Sequence, residues 1–243
     1  MTLLAIDTST EWGSIAVFDG TAVLAEQTWR ARRHDDALFP SIERLLELVG
    51  LSLPSVDRVA VAIGPGSFTG VRIAIAAAQG IARGSGAATI GVPTLDIVAH
   101  PHSASRLRVC AVLPAGRRDR YAALYRARGG TLERRTPIFV GSVADLATRI
   151  AVDTLFAGEV DAETERELRE RLGARAIFPP LATRTRRAGS LAELGWARLA
   201  SGERARPGAL EPIYVKPPAI RGPSGELVAE RALAVAPAGR GER

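Results

Sequence analysis

Cysteine, lysine and aromatic side chains are all scarce in this chain. Cys110 is the only cysteine among 243 residues, which excludes a disulfide framework and a thiolate metal site. It lies in an apolar run, 107–112, that reads as a buried strand, so a packing role is expected over a nucleophilic one. Lys216 is the only lysine, and arginine carries the net charge of +6. Compositional bias explains this most simply, with a polyanion partner such as RNA as the functional alternative. Aromatics are 5% of the chain, too few for a basic motif interleaved with base-stacking rings. No apolar stretch is long and continuous enough to span a bilayer. The start, MTLLAID, has neither the basic leader nor the apolar run of a signal peptide. The expectation is a cytoplasmic protein that binds no membrane. With 47% hydrophobic residues, the chain can bury the core of one large domain or two small lobes.

What is present is a pattern of strands and helices. An apolar run at 3–6 ends on Asp7, and strand-like runs at 14–18 and 22–28 flank Asp19-Gly20, a hairpin signal. Leu38, Ile42, Leu45, Leu46 and Val49 recur at helical spacing over 36–49, with Asp35 or Asp36 as N-cap and Gly50 as the stop. A strand at 58–63 leads into Gly64-Pro65-Gly66-Ser67-Phe68-Thr69-Gly70-Val71-Arg72, then a small-residue helix over 68–82 and a strand at 88–92. Thr94 is expected to cap the next helix. The order predicts a mixed sheet with helices on its faces. Past a connection at 101–106, strands are expected at 107–112, 120–125, 130–140, 154–157 and 175–178. Helices are expected at 142–150, 162–172 and 191–200. The Pro, Gly, Arg and Glu-rich end, 217–243, is expected to be disordered.

The Gly64–Arg72 run is the most specific local signal. A strand, a glycine turn and a helix N-terminus make either an anion cradle or a docking surface. The Gly-Lys-Ser/Thr ending of a P-loop is absent and the spacing does not fit a dinucleotide fingerprint. The helix behind it has small residues on most sides and wants cover on more than one face. That favours a partner helix. Asp7-Thr8-Ser9-Thr10 ends the first strand, where a carboxylate followed by hydroxyls suits a magnesium–phosphate unit; a strand-ending turn is the plainer reading. His100 and His102 lack the companions of a metal site. No Ser–His–Asp or Cys–His set stands out. The arginine clusters Arg117-Arg118, Arg134-Arg135 and Arg184 to Arg187 read as solvated surface.

Ala5-Ile6-Asp7-Thr8-Ser9, the glycine run, Ala78-Gln79-Gly80 and Gly91-Val92-Pro93-Thr94-Leu95 together resemble the TsaB family, also called YeaZ. The likeness runs in order from residue 2 to about 98 and continues to Pro212-Ile213-Tyr214. It implies an α/β, two-lobed actin-like ATPase fold with ribonuclease H-like lobes and mixed sheets flanked by helices. The first lobe would be 1–103 and a smaller, degenerate second lobe 104–216, with the last helix, 191–200, docked on the first. It implies a role in making threonylcarbamoyladenosine in tRNA. The chain would be a non-catalytic subunit that pairs with the catalytic paralogue TsaD and is joined by the ATPase TsaE. Alone it would form a homodimer, and tRNA would be met mainly through the complex. The implied partner interface is Leu38, Ile42, Leu45, Gly64, Pro65, Gly66, Ser67, Phe68, Thr69, Gly70, Arg72, Ile75 and Gln79. Asp7, Thr8, Ser9 and Thr10 are the implied nucleotide or phosphate site, with ATP or ADP and magnesium at the partner interface as the implied cofactors. Where the paralogue carries His-x-x-x-His this chain has Ala99 and Ser103. Pro114-Ala115-Gly116 replaces the family's Asp-Ala-Arg, and Ala157-Gly158-Glu159-Val160 offers one glycine where a Gly-Gly turn is wanted. These departures favour a scaffold without catalytic or metal-binding residues. The alternative is an actin-like-fold small-molecule kinase binding Mg-ATP; a metallopeptidase is the least favoured reading.

Overall fold

The computed structural model describes residues 1–30, 35–205 and 209–215. The expected tail, His34 and the Asp35 side chain lie outside what is described; Asp36, the other cap expected for the first helix, lies inside that helix, Asp35–Leu48. Two sheets organise the chain. The first has strand order β3-β2-β1-β4-β5, built from β1 (Leu3–Asp7), β2 (Trp12–Phe18), β3 (Val23–Arg30), β4 (Arg58–Ala62) and β5 (Ala88–Val92). The N-terminal meander is antiparallel, and β4 and β5 add in parallel. Side chains of β1 alternate between faces. Leu4 and Ile6 enter a core with helices α1 (Asp35–Leu48) and α2 (Phe68–Ser85). Leu3 and Ala5 face the opposite way, into a core with α6 (Ala188–Ala200).

The second sheet runs β11-β10-β6-β7-β8, with β9 also paired to β7. Its strands are β6 (Arg108–Ala115), β7 (Asp119–Arg128), β8 (Thr131–Arg134), β9 (Phe139–Gly141), β10 (Thr154–Gly158) and β11 (Ala176–Ile177). Helices α4 (Val143–Ala147) and α5 (Ala162–Leu172) pack on one face with Cys110 and Phe156. Helix α3 (Thr94–Ala99) covers the other through Leu95, Val98 and Ala99, while its Ile97 enters the α6 core of the first sheet. Helix α3 therefore belongs to both lobes, and α6 crosses back from the second to cover the first.

Three local expectations are corrected. The strand expected over 130–140 is two short ones, β8 and β9, that bind different stretches of β7. The fourth helix stops at Ala147, short of the expected 150. Thr94 does not cap α3; Pro93 stands at the N-cap, and the buried Thr94 hydroxyl has no hydrogen-bond partner among the described residues.

Candidate functional site: an interlobe cleft beside a buried arginine

The glycine run brings α2 down onto the turn that follows β1. The Ser67 amide donates to the Ser9 carbonyl at 2.6 Å, and the Ser67 hydroxyl accepts from the Gly70 amide at 3.2 Å. The Thr8 hydroxyl donates to the Gly70 carbonyl at 2.7 Å. A methyl at Gly66 would lie 2.1 Å from the Ser9 carbonyl oxygen, and one at Gly70 would lie 1.9 Å from that of Thr8. Both glycines are therefore required by close backbone approach. The Ser67 and Gly70 amides are spent on the turn's own chain, which holds the turn against β1.

The close approach buries Asp7, Thr8, Ser9 and Thr10, with Asp7 at 1% exposure. Asp7 Oδ1 accepts from the Ser9 amide at 2.9 Å and the Ser9 hydroxyl at 2.6 Å. The Arg186 guanidinium then binds both oxygens of the same carboxylate, through Nε to Oδ2 and through Nη2 to Oδ1. Its Nη1 donates to Glu159 Oε1 at 2.7 Å, and the Thr10 hydroxyl donates to that same oxygen at 2.6 Å. The Arg186 side chain is 1% exposed. Burial alone would lower its pKa, but the facing carboxylates of Asp7 and Glu159 outweigh that and hold it above its ordinary value.

Thr10 and Glu159 of this group line a cleft of about 720 Å³ between the lobes, with Asp7 and Arg186 buried behind them. The walls include Trp12, Gly66, Ser67, Tyr121, Gly158 and Asp161. Pro114-Ala115-Gly116 lines the cleft as well, at the turn between β6 and β7. Other polar groups there are already paired: Glu11 with Arg30 at 2.9 Å, Asp161 with Arg120 at 3.2 Å, and Arg184 with Glu165 at 2.6 Å. A magnesium–phosphate unit does not fit at the Asp7 end. Both carboxylate oxygens are engaged, and one guanidinium between two carboxylates leaves a negative charge that opposes phosphate.

The implied interface divides into two sets. Leu38, Ile42, Leu45 and Ile75 sit in the first lobe's own core, with Leu38 and Ile42 completely buried. They are corrected from interface to core, because the apolar stripe that makes a helix amphipathic faces its own sheet first. Gly64, Pro65 and Gly70 are buried, and Gly66 and Gln79 are half-buried. Ser67, Phe68, Thr69 and Arg72 are exposed. The outward side chains of α1 include Phe39, Glu43 and Leu48, the last 76% exposed. The chain end returns to this region. The Ile213 amide donates to the Ile63 carbonyl at 2.7 Å, and Arg72 Nε donates to the Tyr214 hydroxyl at 2.8 Å. Arg72 also lies 3.8 Å over the Phe68 ring.

Arg186 escaped the sequence reading, which took the cluster at 184–187 as solvated surface. Arg187 does lie at the surface, paired with Glu26 at 2.6 Å, but Arg184 and Arg186 point inward. The available signal was position: Arg186 lies two residues before an apolar helix start, Ala188. Of the other clusters, Arg134 lies 3.9 Å from Asp96 and Arg135 3.0 Å from Glu133. Ala99 is buried, and His100 binds Glu193 at 2.7 Å. Among the described residues no group of three or more His, Cys, Asp or Glu is arranged to hold a metal, and no helix is long and apolar enough to cross a membrane.

Two lobes with mixed sheets and flanking helices, hinged around a central cleft, define an α/β protein of the actin-like ATPase type. Component A of (R)-2-hydroxyglutaryl-CoA dehydratase from Acidaminococcus fermentans shares the fold at TM-score 0.50 and 13% identity, over 82% of this chain and 99% of that one. YeaZ from Pseudomonas aeruginosa superposes at TM-score 0.74 with 30% identity, over 88% of this chain and 99% of that structure. The Escherichia coli K12 protein described as tRNA threonylcarbamoyladenosine biosynthesis protein TsaB is 39% identical over 127 residues, 51% of this chain and 55% of the relative. The chain thus spans about half the length of that curated relative. The family model described as TsaD: tRNA N6-adenosine threonylcarbamoyltransferase matches residues 26–192. The chain belongs to this family, with TsaB (YeaZ) proteins as its similar relatives.

Proposed function

We propose that the chain acts in tRNA threonylcarbamoyladenosine biosynthesis as a non-catalytic subunit of the cytoplasmic complex. It pairs with and activates the catalytic paralogue TsaD, with TsaE as a further partner, and self-associates when alone. It meets tRNA mainly through the complex. The observation that carries this is Arg186: it takes both oxygens of the strand-end carboxylate that an actin-like phosphotransferase needs free for its metal–nucleotide. The same observation weighs against the small-molecule kinase reading. ATP or ADP with magnesium belongs, in this reading, at the junction with the partner. The contact surface is the outward side of α1 and the start of α2, where Phe39, Leu48 and Phe68 stay exposed.

Reconstitution tests the reading. Threonylcarbamoyl transfer to tRNA by TsaD and TsaE is expected to depend on adding this chain. Equal transfer without it, together with no association between the chain and TsaD, defeats the proposal.

A further inference from the structure

The segment 179–187 crosses from the second lobe to the first, and its three buried or paired arginines bind in that order. Arg184 holds Glu165 of α5 and the Pro179 carbonyl, both on the second lobe. Arg186 holds Asp7 at the end of β1 and Glu159 just past β10, one carboxylate from each lobe. Arg187 holds Glu26 of β3, on the first lobe. Thr10 adds a direct bond from the first lobe to Glu159.

We propose that Arg186 is an interlobe lock: the guanidinium clamped between Asp7 and Glu159 fixes the two lobes in one relative setting. In a two-lobed protein whose cleft faces water, like-charged walls repel and the lobes need a bridging charge to stay together. Here the bridge is a side chain of the protein itself. It is desolvated, bound to both walls and held in place by a segment anchored on either side. A buried charge-assisted network of this kind has strong geometric demands and one good arrangement. The lock concerns the isolated chain and does not rest on the partner assignment.

The test is hydrogen exchange on the full-length chain, comparing wild type with Glu159→Ala. This variant removes both bonds that join the lobes through Glu159 and leaves Arg186 and Asp7 as a neutral pair within the first lobe. The lock predicts about tenfold faster exchange at the Trp12 amide, which donates to Thr10 Oγ1, and in the turn at 158–161. Amides inside β4 and β7 keep their wild-type rates. Wild-type rates at residue 12 and at 158–161 in a folded Glu159→Ala chain overturn the proposal. If β4 also loses protection, Glu159→Gln takes over the test, since it keeps the shape and an acceptor but not the charge. About threefold faster exchange at the same cleft amides then supports the lock, and unchanged rates overturn it. Neither readout needs TsaD or tRNA, so a failed lock and a failed subunit role are distinguished.

Discussion

Arg186 has almost no contact with water, so Asp7, Glu159 and Thr10 must supply what hydration would. Deleting the guanidinium strands two carboxylates, one of them fully buried. Arg186→Met is expected to destabilise the chain by about 3–5 kcal/mol, read from urea unfolding. Combining it with Asp7→Asn should recover part of that loss, because the fully buried unpaired charge goes too; additive losses would show that the pair is not coupled. At the glycine turn, Gly70→Ala sets a methyl against a backbone carbonyl that cannot swing aside. A loss on the order of 1–3 kcal/mol is expected, and a wild-type midpoint would contradict the close approach. Asp7 was legible in the sequence as a carboxylate ending an apolar strand. Its partner was not, because the two lie 179 residues apart and nothing in a linear pattern distinguishes an inward arginine from its solvated neighbours.

At the scale of elements, apolar runs located the strands of the first sheet, helical spacing located α1, and the glycine turn announced α2. Period also explains the main error. The same spacing of Leu38, Ile42 and Leu45 that announces a helix marks the face turned to its own sheet, so it cannot name a face left for a partner. The proposed complex assigns that role to outward residues. Leu48→Glu and Phe39→Glu are each expected to weaken association with TsaD about tenfold in calorimetry while leaving the thermal midpoint near wild type. A large drop in midpoint would mean that these side chains support the fold instead. Helix α5 shows a different local device. Asp161 caps its start by accepting from the Thr164 amide at 2.7 Å. Burial pushes the Asp161 carboxyl up, but the Thr164 hydrogen bonds and Arg120 outweigh it and leave it below the ordinary carboxylate value. A lowered folded value means the contribution is complete above the unfolded pKa and is lost as pH falls through the folded one. Stability should therefore drop more steeply between about pH 5 and pH 2 in wild type than in Asp161→Asn. The difference is expected to be small, since the side chain is well exposed; parallel curves would remove Asp161 from the acid response.

For the molecule as a whole, the order of elements was enough to expect two lobes. How α3 and Arg186 tie them together was not, because α3 feeds the cores of both lobes and the partners of Arg186 lie far apart in sequence. With both Asp7 oxygens bound by Arg186, calorimetry with Mg-ATP on the isolated chain is expected to show no micromolar binding; such binding abolished by Asp7→Ala would restore the kinase reading. The triad of Asp7, Glu159 and Arg186 also bears on reversibility. A cleft able to take a metal–nucleotide again must lose the arginine and relieve the charge it leaves behind. Losing the arginine first strands two carboxylates, the Asp7 one fully buried. The route back thus has to begin at a carboxylate, and the arginine acts as a ratchet on the order in which this fold can change.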